Sequence, residues 1–195
     1  MIGVQVVSRD AVSSWLARMS SAIDGAQLKE VVGRAGANTI RNHLFKINSA
    51  RPNKLGGKRT KFYAQAARST QHKAVDDGAV VSVNHVGIAQ RYFGGTIRPR
   101  RSKYLTLPAV PRAYGKRARE IPGLKFVPFK KRAALVKDDT VFYWLVRSVT
   151  QQADSSVLPE NSEMAAHTAK AASAYTDRIM ERMQGKLLGK LLKGF

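Results

Sequence analysis

Residues 78–110 have the sequence GAVVSVNHVGIAQRYFGGTIRPRRSKYLTLPAV. The β-branched run at 79–83 follows an Asp-Gly turn signal, and the stretches 96–98 and 104–107 also have the composition of short strands. A glycine pair at 94–95 and several prolines separate these stretches, which keeps the strands short, at sheet edges or joined by long excursions. This part of the chain therefore predicts an antiparallel sheet that begins at 79–83.

Two later stretches extend the predicted sheet. Residues 124–127 and 140–150 combine alternating apolar side chains with β-branched and aromatic residues. Residues 85–93, which follow the first strand, are expected to form a short helical or irregular passage.

Amphipathic helices are predicted before and after the sheet. Apolar side chains recur at spacings of three and four over residues 8–24 and roughly 26–47, and a shorter helix is expected over 62–72. A final long helix begins at about Glu160, directly after Pro159. The expected fold class is α+β, an antiparallel β-sheet packed against helices, with long basic loops and a long C-terminal helix.

One body with an arm is the organisation that a length of 195 residues favours. The body covers residues 1–158 and contains basic loops at 48–61 and 109–123. The arm covers residues 159–195 and ends in a segment that places leucines opposite lysines. Such a segment either lies on a membrane surface or docks on a neighbouring subunit, and docking is preferred because its glycines weaken an isolated helix. The predicted subunit-interface residues are Tyr175, Ile179, Met183, Leu187, Leu188, Leu191 and Leu192.

Charge is the strongest signal in the composition. The chain has 34 Lys and Arg against 13 Asp and Glu, a net charge of +21. A surface of this kind indicates an anionic partner, either nucleic acid or an acidic protein surface. A subunit that lines a channel for DNA shows the same imbalance without reading any base. The predicted contacts to DNA or to an acidic partner are Arg51, Lys54, Lys58, Arg59, Lys61, Arg98, Arg100, Arg101, Lys103, Arg112, Lys116, Arg117 and Arg119.

No motif in the sequence indicates catalysis. The chain has no cysteine, no Walker-type loop, no Gly-x-Gly-x-x-Gly and no Gly-x-Ser-x-Gly, and its four histidines are scattered. Between residues 51 and 132 the only acids are Asp76, Asp77 and Glu120, whereas a nuclease needs several carboxylates to hold magnesium. We therefore expect no enzyme activity, no cofactor and no metal. A metal-dependent nuclease that uses Asp76, Asp77 and His85 is the enzymatic alternative.

Signals for secretion or membrane insertion are not found. The first residues, MIGVQVVSRD, lack a basic segment followed by an apolar stretch, and no apolar run approaches the roughly 18 residues needed to span a bilayer. We expect synthesis in the cytoplasm and no membrane partner.

The opening stretch resembles the phage virion morphogenesis and tail completion family, whose members lie at the head-to-tail junction. The resemblance rests on a strand at 79–83, a segment at 89–95 that ends in an aromatic residue and glycine, a basic proline-containing strand at 96–99, and the Leu-Thr-Leu-Pro strand at 104–108. The later VFYWLVRSVTQQADSSVLPE at 141–160, followed by a long helix, is also similar to that family.

This resemblance implies a structural, noncatalytic neck protein that forms a homo-oligomeric ring, a hexamer, at the top of the tail. The ring would join the tail tube to the head connector and line the path of the DNA. The implied partners are the head connector or adaptor proteins, the tail tube or tail terminator protein, and genomic DNA in the lumen. The implied location is the neck of the virion, reached from the host cytoplasm during assembly.

A cellular nucleic-acid-binding protein of ribosome-associated or nucleoid type is the alternative function. Basic and aromatic residues alternate over 91–119, a mixture that can bind single strands by stacking and charge. The competing interpretation places Tyr92, Phe93 and Tyr104 in the core or at an interface and turns only Lys and Arg outward. It is preferred because residues 104–107 are mostly apolar. No helix-turn-helix, zinc-finger or RNA-recognition signature supports sequence-specific binding.

Overall fold

The computed structural model describes residues 11–51, 60–130 and 132–191, with side chains described over 17–51, 60–130 and 132–185. The α-helices are α1 (Ala11–Ala22), α2 (Gly25–Ala50), α3 (Phe62–Arg68), α4 (Ile88–Phe93) and α5 (Asn161–Leu191). The strands are β1 (Thr70–Val75), β2 (Gly78–Val83), β3 (Gly95–Ile97), β4 (Leu105–Pro108), β5 (Lys125–Pro128), β6 (Ala133–Lys137), β7 (Thr140–Val146) and β8 (Val149–Gln151). Helices together with antiparallel sheets confirm the predicted α+β fold, including its long C-terminal helix.

The chain divides into two compact units. The helical unit consists of Met1–Asn38, His72–Val81 and Asn161–Phe195, and the sheet unit consists of Thr39–Gln71 and Ser82–Glu160. Each unit therefore combines stretches that are distant in sequence. The division at 158/159 predicted from chain order stays a prediction, whereas α5 belongs to the same compact unit as α1 and the first part of α2.

In the helical unit, α2 packs closely on the β1–β2 hairpin. An added Cβ at Gly33 would lie 2.9 Å from Cβ of Ala79, and one at Gly36 would lie 3.2 Å from Cγ2 of Val81. The helix backbone can approach the strands this closely because these positions have no side chain. The added Cβ at Gly36 would also lie 3.4 Å from Cε of Met164, so α5 reaches the same face of α2. The predicted packing of helix against strands is confirmed for this part of the chain.

The largest sheet among the described residues has four antiparallel strands in the order β4-β7-β6-β5. Tyr143 in β7 is 1% exposed, and its hydroxyl lies 3.2 Å from the carbonyl oxygen of Ala113 and 3.0 Å from that of Lys116. A buried hydroxyl needs such acceptors to offset its desolvation. The connection between β4 and β5 is therefore anchored on the sheet. Its only regular structure is 3₁₀ turns at Pro111–Ala113 and Ala118–Glu120, which agrees with the predicted loop.

The C-terminal half of α2 packs inside the sheet unit. Ile40, Leu44 and Ile47 are buried at the spacing of one helix face, and Ala64 of α3 is buried as well. The backbone N–H of Ala64 donates to Oδ1 of Asn48 at 3.3 Å, which ties the start of α3 to the end of α2. α2 itself continues to Ala50, so the first residues of the loop predicted at 48–61 are helical.

The helix predicted over 62–72 is wrong in its second half. α3 ends at Arg68, and the residues that follow form β1, which pairs with β2. The guanidinium of Arg41 donates to the carbonyl oxygen of Thr70 at 2.7 Å, a bond made at the point where the chain leaves the helix. Strand formation in the run Thr-Gln-His-Lys-Ala-Val depends on its partner strand more than on its composition. The strand at 79–83 is consequently the second strand, not the first.

β6 has no counterpart among the strands expected from the sequence. Its residues, Ala-Ala-Leu-Val-Lys, favour helix as much as strand, and they adopt the strand because they pair with β5 on one side and β7 on the other. The strand expected over 140–150 is divided, since β7 ends at Val146 and β8 pairs with β3 in a separate sheet. Over the described ranges, none of the helices contains an apolar stretch of the length that crossing a membrane requires.

Candidate nucleic-acid interface

The two units differ strongly in charge. By sequence, the sheet unit holds 23 Lys and Arg against 5 Asp and Glu, a net charge of +18, whereas the helical unit holds 11 against 8, a net charge of +3. Most of the excess positive charge therefore belongs to the stretches that form the sheet unit. The positive potential belongs almost entirely to the sheet unit.

The segment between β3 and β4 presents four of the predicted cations, Arg98, Arg100, Arg101 and Lys103, and all four are exposed. None of these side chains forms an ion pair with a carboxylate of a described residue. Nζ of Lys103 lies 5.8 Å from the centre of the Tyr104 ring, so this ammonium group rests over an aromatic face. These charges face solvent and are available to an anionic partner.

The connection between β4 and β5 presents four more of the predicted cations, Arg112, Lys116, Arg117 and Arg119, and these too are exposed. The carboxylate of this connection, Glu120, accepts a 3.1 Å hydrogen bond from the backbone N–H of Arg117. The carboxylate is thus engaged with backbone. Because the Tyr143 hydroxyl anchors this connection, its cations extend from backbone that is held against the sheet.

Arg51 is placed differently from the other predicted contacts, because its guanidinium is bound within the sheet unit. Nη1 donates to Oδ2 of Asp154 at 2.7 Å and to the hydroxyl of Tyr63 at 3.2 Å, and Nη2 donates to Oγ of Ser156 at 2.6 Å. The hydrogen bond from Ser156, followed by that from Arg51, lowers the pKa of Asp154 below its ordinary value. The bond to Asp154 in turn raises the pKa of Arg51. A contact between Arg51 and an external anion stays a prediction, and it would compete with these bonds.

The remaining cations of the first basic loop are only partly described. Lys54, Lys58 and Arg59 lie outside the described residues. Lys61 is exposed immediately before α3 and has a left-handed backbone with φ of 57°. Its ammonium group is therefore on the surface of the sheet unit, as a contact residue requires.

The aromatic residues of the basic region do not share one environment. Tyr92 and Tyr104 are half-buried, whereas Phe93 is 76% exposed. The rings of Tyr92 and Phe93 meet edge to face with centroids 4.9 Å apart. Phe93 therefore does not lie in the core, and both an interface role and base stacking stay predictions for it.

The residues of the nuclease alternative lie in different units. Asp76 and Asp77 are exposed in the turn between β1 and β2, where the backbone carbonyl of Asp76 accepts a hydrogen bond from Lys29. His85 belongs to the sheet unit, and its ring packs edge-on against Phe62 with centroids 4.7 Å apart. Among the described residues, no group of three or more His, Asp or Glu side chains could hold a metal ion.

The predicted interface stripe on α5 is partly covered within the helical unit. Tyr175, Ile179 and Met183 are half-buried, and the hydroxyl of Tyr175 lies 3.1 Å from Oε1 of Gln27. The side chains of Leu187, Leu188 and Leu191, and the whole of Leu192, lie outside the described residues. A subunit interface on this helix stays a prediction.

Sequence reasoning missed the cation–aromatic arrangement on the β5–β6 hairpin. Cζ of Arg132 lies 3.7 Å from the centre of the Trp144 ring, and the ring of Phe129 lies 6.0 Å from that of Trp144. Lys125 and Lys130, on the same β5–β6 hairpin, are exposed. The arrangement depends on β6, because β6 brings the hairpin alongside β7. The sequence feature that could have indicated it is the run of Lys and Arg around Phe129, which contains no Asp or Glu.

Comparison with protein-family models, with curated proteins and with solved structures found no match for this chain.

Proposed function

We propose that this chain is a noncatalytic structural protein of the phage neck, which completes the tail by forming a homo-oligomeric ring between the head connector and the tail tube. The observation that supports this proposal is the net charge of +18 on the sheet unit. Its arginines and lysines between β3 and β5 are exposed and have no ion pair with a carboxylate of a described residue. A channel subunit for DNA needs such a surface and needs no catalytic group.

A ring explains how weak contacts can guide DNA. Each exposed basic segment occurs once per subunit, so a ring repeats it around the lumen. Individual phosphate contacts add up to a strong field that weakens as salt rises. Because phosphate contacts carry no sequence information, DNA of any sequence passes the same surface.

The charge difference between the units supports a division of roles in the ring. Two surfaces of like charge repel each other, so a contact between two sheet units carries an electrostatic cost. The helical unit has a net charge of only +3, so contacts through it are opposed less. We therefore place the contact between subunits on α5, with Tyr175, Ile179 and Met183 at its centre, and the DNA path on the sheet unit.

Charge reversal in the phage tests the proposed role directly. Arg100→Glu combined with Arg101→Glu changes the net charge by four units on an exposed segment, so the isolated chain should fold normally by circular dichroism. Head-to-tail joining or infectivity should be lost, because the basic surface is inverted. The matched control is Arg34→Glu combined with Lys73→Glu, which makes the same charge change at exposed positions of the helical unit outside α5 and should leave joining and infectivity intact. Normal virions from the Arg100 and Arg101 double variant would count against the proposal.

Location in the particle provides an independent test. Antibody labelling or electron microscopy of purified virions should place the chain at the head-to-tail junction. Particles whose junction lacks this polypeptide would exclude the neck role whatever the chain does with DNA in solution.

A cellular nucleic-acid-binding protein is the second candidate, and the same exposed cations favour it. The two functions differ in the strength of binding by one copy. A cellular binding protein should bind duplex DNA tightly as a monomer at moderate salt, whereas a ring subunit should bind weakly until it assembles. A titration of the purified chain with duplex DNA over a salt series, with the oligomeric state measured in parallel, distinguishes them.

A further inference from the structure

The β5–β6 hairpin places Phe129 and Arg132 on the same face of the four-stranded sheet as Trp144 of β7. The N–H of Phe129 donates to the carbonyl oxygen of Arg132 at 2.8 Å, which extends the pairing of the strands by one residue pair. Ala134 pairs with Trp144 of β7, and alternate residues of a strand point to the same face. Arg132 and Phe129 therefore lie on the face that carries Trp144, in agreement with their ring contacts.

Stacking on Trp144 fixes the plane of the Arg132 guanidinium. Cζ lies over the ring, 3.7 Å from its centre, which is too close for the guanidinium to stand edge-on, so one of its faces rests on the indole. The N–H donors of a guanidinium lie in its plane, so stacking leaves them free to point outward. Arg132 is exposed and forms no ion pair with a carboxylate of a described residue. The result is a donor fork that is already oriented before a ligand arrives.

Two lysines continue the positive charge along the hairpin. Lys125 and Lys130 are exposed, and the sequence has no Asp or Glu between Glu120 and Asp138. Along β6, Asp138 is separated from Arg132 by about 20 Å at the usual rise per strand residue. That distance exceeds the screening length of about 10 Å at 0.1 M salt, so Asp138 does little to neutralise the hairpin.

We propose that Arg132, stacked on Trp144, forms with Lys125 and Lys130 a binding site for the phosphodiester backbone of nucleic acid. The planar fork matches two oxygens of one phosphate, and the lysines provide point charges for its neighbours. At the usual rise per strand residue, Lys125 lies about 13 Å along the hairpin from the Phe129–Arg132 pair, a spacing that suits a line of phosphates better than a single carboxylate. Binding is independent of base sequence, because the guanidinium covers the indole face on which a base would stack. The proposal rests on the proposed function in that DNA in the ring would be the ligand.

Binding of a fluorescently labelled duplex of mixed sequence by the purified full chain tests this site. At about 50 mM salt, the wild-type chain should bind with a dissociation constant in roughly the micromolar range, as nonspecific binding does. Arg132→Gln should weaken binding about tenfold and reduce the slope of log K against log salt by about one. Arg132→Lys keeps the positive charge but loses the planar donor fork, so its affinity should lie between those of the wild-type chain and Arg132→Gln.

The matched control is Arg68→Gln, the same chemical change at an exposed arginine of α3. Its affinity should stay within about twofold of the wild type, because a single charge outside the site contributes little to one phosphate contact. Equal losses in the two variants, or no binding by the wild-type chain, would overturn the proposal. If Arg132→Gln fails to fold by circular dichroism, Lys125→Gln combined with Lys130→Gln replaces it, and unchanged affinity in that variant would also overturn the proposal.

An acidic protein segment is the competing ligand. Polyglutamate, added as competitor at the same concentration of charges as unlabelled DNA, should displace the labelled duplex poorly. Equal displacement by polyglutamate would overturn the nucleic-acid assignment. These measurements use the isolated chain, so their failure is distinguishable from a failure to find the chain at the virion neck.

Discussion

Removal of the Arg51 guanidinium is expected to destabilise the fold. Arg51→Gln would break the hydrogen bonds to Asp154, Tyr63 and Ser156, which have donor–acceptor distances of 2.7, 3.2 and 2.6 Å. The side chains of Arg51 and Asp154 are 37% and 34% exposed, so water replaces part of what is lost. About 0.7 kcal/mol for each of three partly solvated bonds gives a loss of about 2 kcal/mol in the free energy of unfolding. For a chain of this length, that loss corresponds to a decrease in Tm of about 6 °C.

Thermal unfolding followed by circular dichroism measures this loss, with Arg68→Gln as the control for removing one positive charge. A double-mutant cycle with Asp154→Asn should show a coupling energy of about 1 kcal/mol, because the two side chains share a bond. The lowered pKa of Asp154 adds a pH test. Its stabilising contribution should be present above a pH of about 4 and decrease as the pH falls through the lower folded-state pKa. If Arg51→Gln melts at the same temperature as Arg68→Gln, the structural role assigned to Arg51 is refuted, and its role as an external contact gains support.

Three further predictions concern packing and titration. Gly94→Ala should cost about 2 kcal/mol or more, because residue 94 has φ of +71° and an added Cβ would lie 2.6 Å from a backbone nitrogen of the segment after β8. At Gly25 nothing lies within 4 Å of an added Cβ, so Gly25→Ala should leave Tm unchanged or slightly raised. Calorimetry of the Gly94→Ala and Gly25→Ala variants measures both effects, and equal Tm values would contradict the prediction. Tyr143→Phe should cost about 1 kcal/mol and speed amide exchange in the connection between β4 and β5, since its hydroxyl no longer anchors that segment. Burial raises the pKa of Tyr143. The stability that the neutral Tyr143 hydroxyl contributes in the wild type should therefore be complete below a pH of about 10 and decrease as the pH rises through the folded-state pKa. Absorbance titration of the tyrosine would show this. The hydrogen bond from His72 lowers the pKa of Glu30. The stability that this carboxylate contributes should therefore be present above a pH of about 4.3 and decrease at lower pH. An acid unfolding curve of Glu30→Gln identical to that of the wild type would contradict this.

Local patterns were sufficient for elements whose signal lies within their own residues. α2 was predicted from the spacing of its apolar side chains, and Gly25–Ala50 is close to the expected range. β2 and β4 were predicted from β-branched residues, a turn signal and proline positions, and both are present with small shifts of their ends. The errors fall at β1, at β6 and at the break between β7 and β8. The compositions of β1 and β6 permit helix or strand. Pairing with a partner decides such segments, and a single sequence does not show the partner.

The candidate interface was predictable only in part for a similar reason. The exposed arginines between β3 and β4 follow from a basic run bounded by proline, which does not fit in a core. Arg51 has the same charge and a similar neighbourhood in sequence, yet its guanidinium is bound to Asp154, about one hundred residues further along the chain. Arg132 was not singled out, since its stacking partner Trp144 comes alongside only through β6.

The sequence by itself determined the composition of charge, the absence of cysteine, the class of fold and the positions of the long helices, because each of these depends on residue identity or on periodicity within one segment. The tertiary structure alone decided which charges lie together. It assembled five separate stretches into one unit of +3 and another of +18. It also bound Arg51 internally and stacked Arg132 on an indole. Electrostatic potential and hydrogen bonding depend on distance in space, and distance along the chain does not fix distance in space.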